Sequence, residues 1–143
     1  MFVADTNILL LAANRDVPGH PECAGLVESW RRRTSPWYLT WGIVYEFLRV
    51  ATHPKVFDAP FRMEQALSFV SALLASPALG ILAETSSHLE VVSEVLNAVP
   101  GASGNIVFDA HTAALMREHG VQTIYTRDRD FLRFPNLEVI DPL

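Results

Sequence analysis

Phe2-Val3-Ala4-Asp5-Thr6-Asn7 stands at the head of this chain, a short β-type run that ends in an acid. Far downstream, Val121-Gln122-Thr123-Ile124-Tyr125-Thr126-Arg127-Asp128-Arg129-Asp130-Phe131 follows the same plan. Three further β-type runs lie at residues 37–40, 79–83 and 137–140, with the first and fourth runs covering 2–5 and 121–126. Between them the apolar spacing predicts helices over about 22–33, 42–52, 61–75, 86–98 and 105–119. Pro54, Pro60, Pro77 and Pro100 interrupt the helical patterns, Asn105 is placed to cap a helix, and Gly120 sits where a helix commonly ends left-handed. Strands alternating with helices predict an α/β fold: a central, mainly parallel sheet of about five strands, covered on both faces and joined by right-handed crossovers. Ligands of such sheets bind beyond the carboxyl ends of the strands, where strand order reverses. If the first and fourth strands are neighbours there, Asp5 and Asp128 converge.

Two more acids sit among apolar residues, in Tyr45-Glu46-Phe47 and Val107-Phe108-Asp109-Ala110. Burying an ion without a partner is costly, so acids in such settings ask for a function. The helices carrying Glu46 and Asp109 are expected to present them near their N-termini, where the helix dipole favours negative charge. Two carboxylates ~4 Å apart repel by roughly 4 kcal/mol at an effective dielectric of about 20, so a cluster of four persists only with protons or a cation. Oxygen-only ligands select a hard ion, which suits Mg²⁺ or Mn²⁺ and points to metal-assisted chemistry on phosphate. Each acid also has a plainer explanation. Glu46 can pair with Arg49 one turn on, Asp109 can be an N-terminal helix charge, and Asp128 a turn residue. Those explanations do not account for the four together.

The 143 residues, 50% hydrophobic, suit a single domain spanning 1–143. A net charge of −5 argues against a broadly basic nucleic-acid clamp but leaves room for a local arginine rim. Cys23 is the only cysteine, which excludes an internal disulfide and a cysteine-based zinc site and makes packing its expected role. The first residues lack the basic region of a leader and no apolar run is long enough for a membrane span, so the cytoplasm is the expected compartment.

Asp5-Thr6-Asn7, Glu46 in a central helix, Asp109-Ala110-His111-Thr112-Ala113-Ala114, Thr126-Arg127-Asp128-Arg129-Asp130-Phe131 and the terminal Asp141-Pro142-Leu143 resemble the PIN-domain ribonucleases, most closely the VapC-type toxins of toxin-antitoxin pairs. The resemblance covers nearly the whole chain and implies a PIN-like three-layer α/β/α fold. It implies a Mg²⁺-dependent endoribonuclease, with Mn²⁺ as a substitute, that leaves 5′-phosphate and 3′-hydroxyl ends. Asp5, Glu46, Asp109 and Asp128 match the family's acidic quartet. Asp130 is a fifth acid, either an alternative to Asp128 or the cap of a short following helix. On this reading Asp5 and Asp109 hold the metal directly, with Asp128 as a ligand or water-holder and Glu46 acting through water or on a second ion. Thr6, Asn7 and Thr126 orient the ligands. Thr6 and Asn7 can equally cap a helix after the first strand. Arg127 and Arg129 are candidates for phosphate contacts. The resemblance also implies a VapB-type antitoxin partner and a homodimer.

Other residues have plainer assignments. His111 follows Asp109 by two, so on a helix their side chains diverge, and packing or RNA contact is its expected role. His20, His53, His88 and His119 show no metal-ligand spacing, and Glu84, Glu90 and Glu94 suit a solvated helix face. Arg31, Arg32 and Arg33 are expected at a solvated helix end. Trp30, Trp37, Trp41, Val56, Phe57 and Phe61 belong mostly to the core, with some available to line an antitoxin groove. Rival functions are a housekeeping PIN ribonuclease in RNA maturation and a non-catalytic module whose acids bind a cation or a basic peptide. A phosphohydrolase with Asp5 as nucleophile is disfavoured because Asn7 stands where a second early aspartate would be expected.

Overall fold

In the computed structural model, which describes residues 1–143, the elements run β1 (Phe2–Ala4), α1 (Thr6–Ala13), α2 (His20–Arg32), β2 (Trp37–Thr40), α3 (Trp41–Ala51), α4 (Met63–Leu74), β3 (Leu79–Leu82), α5 (His88–Asn97), α6 (Ile106–Glu118), β4 (Thr123–Tyr125), a 3-10 helix (Arg129–Arg133) and β5 (Glu138–Ile140). The five strands form one sheet in the order β3-β2-β1-β4-β5, and every pairing is parallel. Val3 pairs with both Tyr38 and Ile124, so β1 is the central strand.

Chain direction across the sheet reverses between β3 and β4. Right-handed crossovers therefore put α1 to α4 on one face and α5 with α6 on the other. The helix packing agrees: α1 lies on α2 and α3, α3 on α4, and α5 on α6. The 32 buried apolar residues form one cluster running through both layers. Trp37, Phe47 and Phe131 are its largest fully buried side chains, each contributing about 1.5–3 kcal/mol by leaving water. Phe2, Trp30, Trp37 and Tyr125 stack on one face of the sheet with ring centroids 4.8–6.2 Å apart, seating α2 on β1, β2 and β4.

Several local expectations are corrected. The helix after the first strand is capped by Asp5, whose Oδ1 accepts the Thr6 N–H, rather than by Thr6 or Asn7. The 3-10 helix is capped by Asp128, whose Oδ1 accepts the Asp130 N–H at 2.9 Å, rather than by Asp130. Asn105 precedes α6 but its side chain makes no cap bond, because its backbone is already helical and does not present the carbonyl to the first turn. Gly120, by contrast, takes φ +67° just past α6, a conformation that favours glycine. Trp30, Trp37 and Phe57 are core, but Trp41 and Val56 are more than half exposed, because the helix and loop carrying them turn those positions outward.

Candidate functional site

β1 and β4 are neighbours at the point where strand order reverses, so the residues after them share one crevice. Asp5 follows β1 and is buried, only 8% exposed. Its Oδ1 accepts the Thr6 amide at 2.7 Å. Its Oδ2 accepts Asn7 Nδ2 and the Thr126 hydroxyl, each at 2.6 Å. Thr126, fully buried after β4, also accepts Asn7 Nδ2 at 2.9 Å and the Asp128 amide at 2.9 Å. Asn7 Oδ1 accepts the Arg127 amide at 3.1 Å. One hydroxyl and one carboxamide thus tie the end of β1 to the loop after β4.

Asp109 projects from the first turn of α6 and is half-buried. Its carboxylate groups with those of Asp128 and Asp130, ligand oxygens lying within 4.8 Å of one another. Glu46 lies in the middle of α3, not near its N-terminus, so the helix dipole does little for it. Its Oε2 accepts the Thr6 hydroxyl at 2.9 Å while Oε1 lies 3.6 Å from Arg49. The intrahelical pairing with Arg49 therefore exists alongside a contact to the residue next to Asp5.

The electrostatics are those of crowded carboxylates. Burial pushes Asp5 up to about 6, opposed by the Thr126 and Thr6 hydrogen bonds and reinforced by Glu46 and Asp128. Asp109 is raised to about 7, first by desolvation and then by the charges of Asp128, Asp5, Asp130 and Glu46. The other four acids all act on Asp109, although they come from three separate segments of the chain. Cations reach only its periphery: Arg49 lies 3.6 Å from Glu46 and Arg133 3.8 Å from Asp130, while Arg127 Nε faces Asp141 at 3.4 Å, so Asp5 and Asp109 have no basic partner. An oxygen-only donor set in which Asp5 and Asp109 resist ionisation fits a hard divalent cation, which would relieve the repulsion between them and their neighbours.

Arg127 and Arg129 are both exposed beside the acids. The earlier arginines are occupied elsewhere: Arg31 and Arg32 both bond Glu28, and the Arg33 guanidinium lies 4.9 Å from the Phe2 ring centroid. Cys23 is fully buried, and burial raises its thiol. Glu84 is not on a helix face. It lies in the loop after β3, with Oε1 2.8 Å from His111 Nε2. His88 stands at the N-terminal end of α5, half-buried against Glu118. Sequence spacing hid this pairing, since 27 residues separate Glu84 from His111 and 30 separate His88 from Glu118. Exposed Trp41 and Tyr45, with ring centroids 6.4 Å apart, line α3 next to Glu46, and Phe108 stands exposed next to Asp109.

The PIN domain family model matches residues 2–137. The chain is 35% identical to ribonuclease VapC48 of Mycobacterium tuberculosis over 138 residues, 96% of this chain and 94% of that protein. Among solved structures, the crystal structure of Mycobacterium tuberculosis VapC20, described as a sarcin-ricin loop cleaving toxin, superposes with a TM-score of 0.68 at 18% identity, covering 96% of this chain and 99% of that one. VapBC2 from Rickettsia felis, solved bound to a DNA fragment from its promoter, gives a TM-score of 0.67 at 20% identity over 97% and 96% of the two chains. No helix is long and apolar enough to cross a membrane.

Proposed function

Because this chain belongs to the PIN domain family, we propose that it is a VapC-type endoribonuclease that hydrolyses RNA phosphodiester bonds at its acidic centre with Mg²⁺, or Mn²⁺ in its place. The observation that carries this reading is the convergence of Asp5, Asp109, Asp128 and Asp130 at the β1–β4 reversal, with Asp109 raised to about 7 by burial and then by the charges of its neighbours.

Asp5, Asp109 and Asp128 are the residues that would hold the cation. When bound, such a cation lowers the pKa of a coordinated water and offsets charge on the phosphate. Glu46 and Asp130, both exposed at the rim, orient water for in-line attack. Thr6, Asn7 and Thr126 fix the carboxylate directions, since each donates to or bridges an acid. Arg127 and Arg129 contact the RNA backbone, and their position beside the acids supports that role. A VapB-type antitoxin would silence the enzyme by presenting basic groups to the same carboxylates, and a second copy of the chain completes a homodimer. One domain spans the chain, and its place of work is the cytoplasm, where the RNA is.

The test is incubation of a mixed RNA pool with the purified chain in Mg²⁺ or Mn²⁺, beside EDTA and Asp109→Asn, with sequencing of the new ends. Cuts bearing 5′-phosphates, absent from both controls, uphold the assignment. A folded chain that binds Mg²⁺ yet leaves every RNA class in the pool intact would sink it in favour of a cation-binding module.

A further inference from the structure

Outside the acidic centre, one other group of side chains has the composition of a metal site. Glu84 in the loop after β3, His88 in the first turn of α5 and His111 in α6 each present a ligand atom, and these atoms lie within 4.8 Å of one another. The two imidazoles meet edge to face with ring centroids 5.3 Å apart. Glu84 Oε1 lies 2.8 Å from His111 Nε2.

What stands behind His88 is informative. Its Nδ1 is 2.7 Å from Glu118 Oε2, where the ring N–H donates to the carboxylate. The Glu118 side chain is only 1% exposed, and its other oxygen accepts both the amide and the hydroxyl of Thr85. A carboxylate so held fixes the His88 tautomer and leaves Nε2 with the lone pair. A histidine whose second nitrogen is locked by a buried carboxylate is the usual support of a metal-bound imidazole.

We propose that Glu84, His88 and His111 form a second metal site, distinct from the acidic centre, that takes a first-row ion favouring imidazole, with Zn²⁺ as its representative. Two histidines and one carboxylate, with a fourth position open to water, is an established zinc donor set, whereas the all-oxygen centre suits a harder ion. Tetrahedral bonds of about 2.1 Å place donors about 3.4 Å apart, so donors already within 4.8 Å need shifts on the order of an ångström to ligate one ion, with the Glu84–His111 pair opening from 2.8 Å. The ion would tie the loop after β3 and the start of α5 to α6, two residues along from Asp109.

The experiment uses the full chain without a histidine tag. Equilibrium dialysis with Zn²⁺ and the visible spectrum of bound Co²⁺ are compared for the wild type, Asp5→Asn/Asp109→Asn, His111→Gln, Glu84→Gln and Glu118→Gln. Circular dichroism and a melting curve in EDTA check that each variant is folded. We expect one Zn²⁺ per chain in the wild type, retained with the tetrahedral Co²⁺ spectrum when the acidic centre is disabled. Affinity falls more than about tenfold in His111→Gln and Glu84→Gln, and roughly 10–100-fold in Glu118→Gln, which removes only the support. Glu84 is exposed, so its variant keeps the test decisive if a histidine variant unfolds. Zn²⁺ lost with the acidic centre and kept in folded Glu84→Gln, or absent from the folded wild type, overturns the site. Neither outcome bears on RNA cleavage, which the acidic-centre variants report separately.

Discussion

Two polar clusters flank α6, one reached through Asp109 and the other through His111 two residues later, and they solve the problem of charge in opposite ways. The acidic centre gathers only carboxylates, and its buried Asp5 and half-buried Asp109 are pushed up to about 6 and about 7. In the mixed cluster, Glu84 is held below the usual carboxylate range by its own backbone amide and by His111. Glu118 is also lowered, the hydrogen bonds of Thr85 and His88 overcoming the desolvation that opposes them. One cluster is strained until something positive arrives, while the other is satisfied by its own donors. Repulsive sites of the first kind trade stability for binding, and removing a charge from them should help the fold. Removing a charge from the second kind should harm it.

The largest effect separating the two clusters is on cleavage. Asp109→Asn should lower the rate of RNA hydrolysis by at least about a hundredfold, since several kcal/mol of charge stabilisation are at stake and each ~1.4 kcal/mol is tenfold. Single-turnover cleavage in Mg²⁺ measures it, and a rate within threefold of wild type, set against a factor of about a hundred, would remove Asp109 from the machinery. Next comes Thr126→Val, which keeps the shape but strips Asp5 and the Asp128 amide of their shared hydroxyl. Cation affinity or cleavage should fall roughly 10–100-fold, with the Mg²⁺ concentration dependence moving to higher values.

Stability then distinguishes the clusters directly. Glu118→Gln should cost about 1.5–3 kcal/mol in urea unfolding because hydrogen bonds to a buried ion are lost. Asp109→Asn should gain about 1 kcal/mol in EDTA, a figure kept small because the group is half exposed and screened. Equal losses in both variants would erase the contrast.

Of similar size is the pH dependence of the metal-free chain. Asp5 and Asp109 have folded values above their ordinary 3.8, so the folded state holds protons that the unfolded chain has already released. Stability from these groups is therefore full below about pH 4 and lost as pH rises through about 6 to 7, by about 1–2 kcal/mol after screening. Urea unfolding at about pH 5 and about pH 8 should show this decline, flattened in Asp109→Asn and reversed by saturating Mg²⁺.

The same contrast explains what could be read from the chain directly. The acidic centre was legible because each of its members sits at a local signal: Asp5 at the end of a β-type run, Asp109 at the start of a helix, Asp128 just past another strand. Asp5's own capping of α1 was not legible, because Asp, Thr and Asn are all good N-caps and their neighbourhood does not say where the helix begins. Nor was the mixed cluster. Glu84, His88, His111 and Glu118 have no motif spacing, and an isolated histidine or glutamate on a helix reads as a solvated residue until its partner is known.

Residue order alone determined the alternation of strands and helices, the parallel sheet, the acids at the strand ends and the lack of any disulfide. These follow from side-chain periodicity, turn chemistry and composition, which act over a few residues. Tertiary structure alone decided that β1 lies beside β4, that Thr126 bonds Asp5 across 121 residues, that Asp128 rather than Asp130 caps the 3-10 helix, and that Glu84 faces two histidines. Those outcomes depend on strand order, crossover handedness and the packing of α5 on α6, long-range terms that no local spacing encodes.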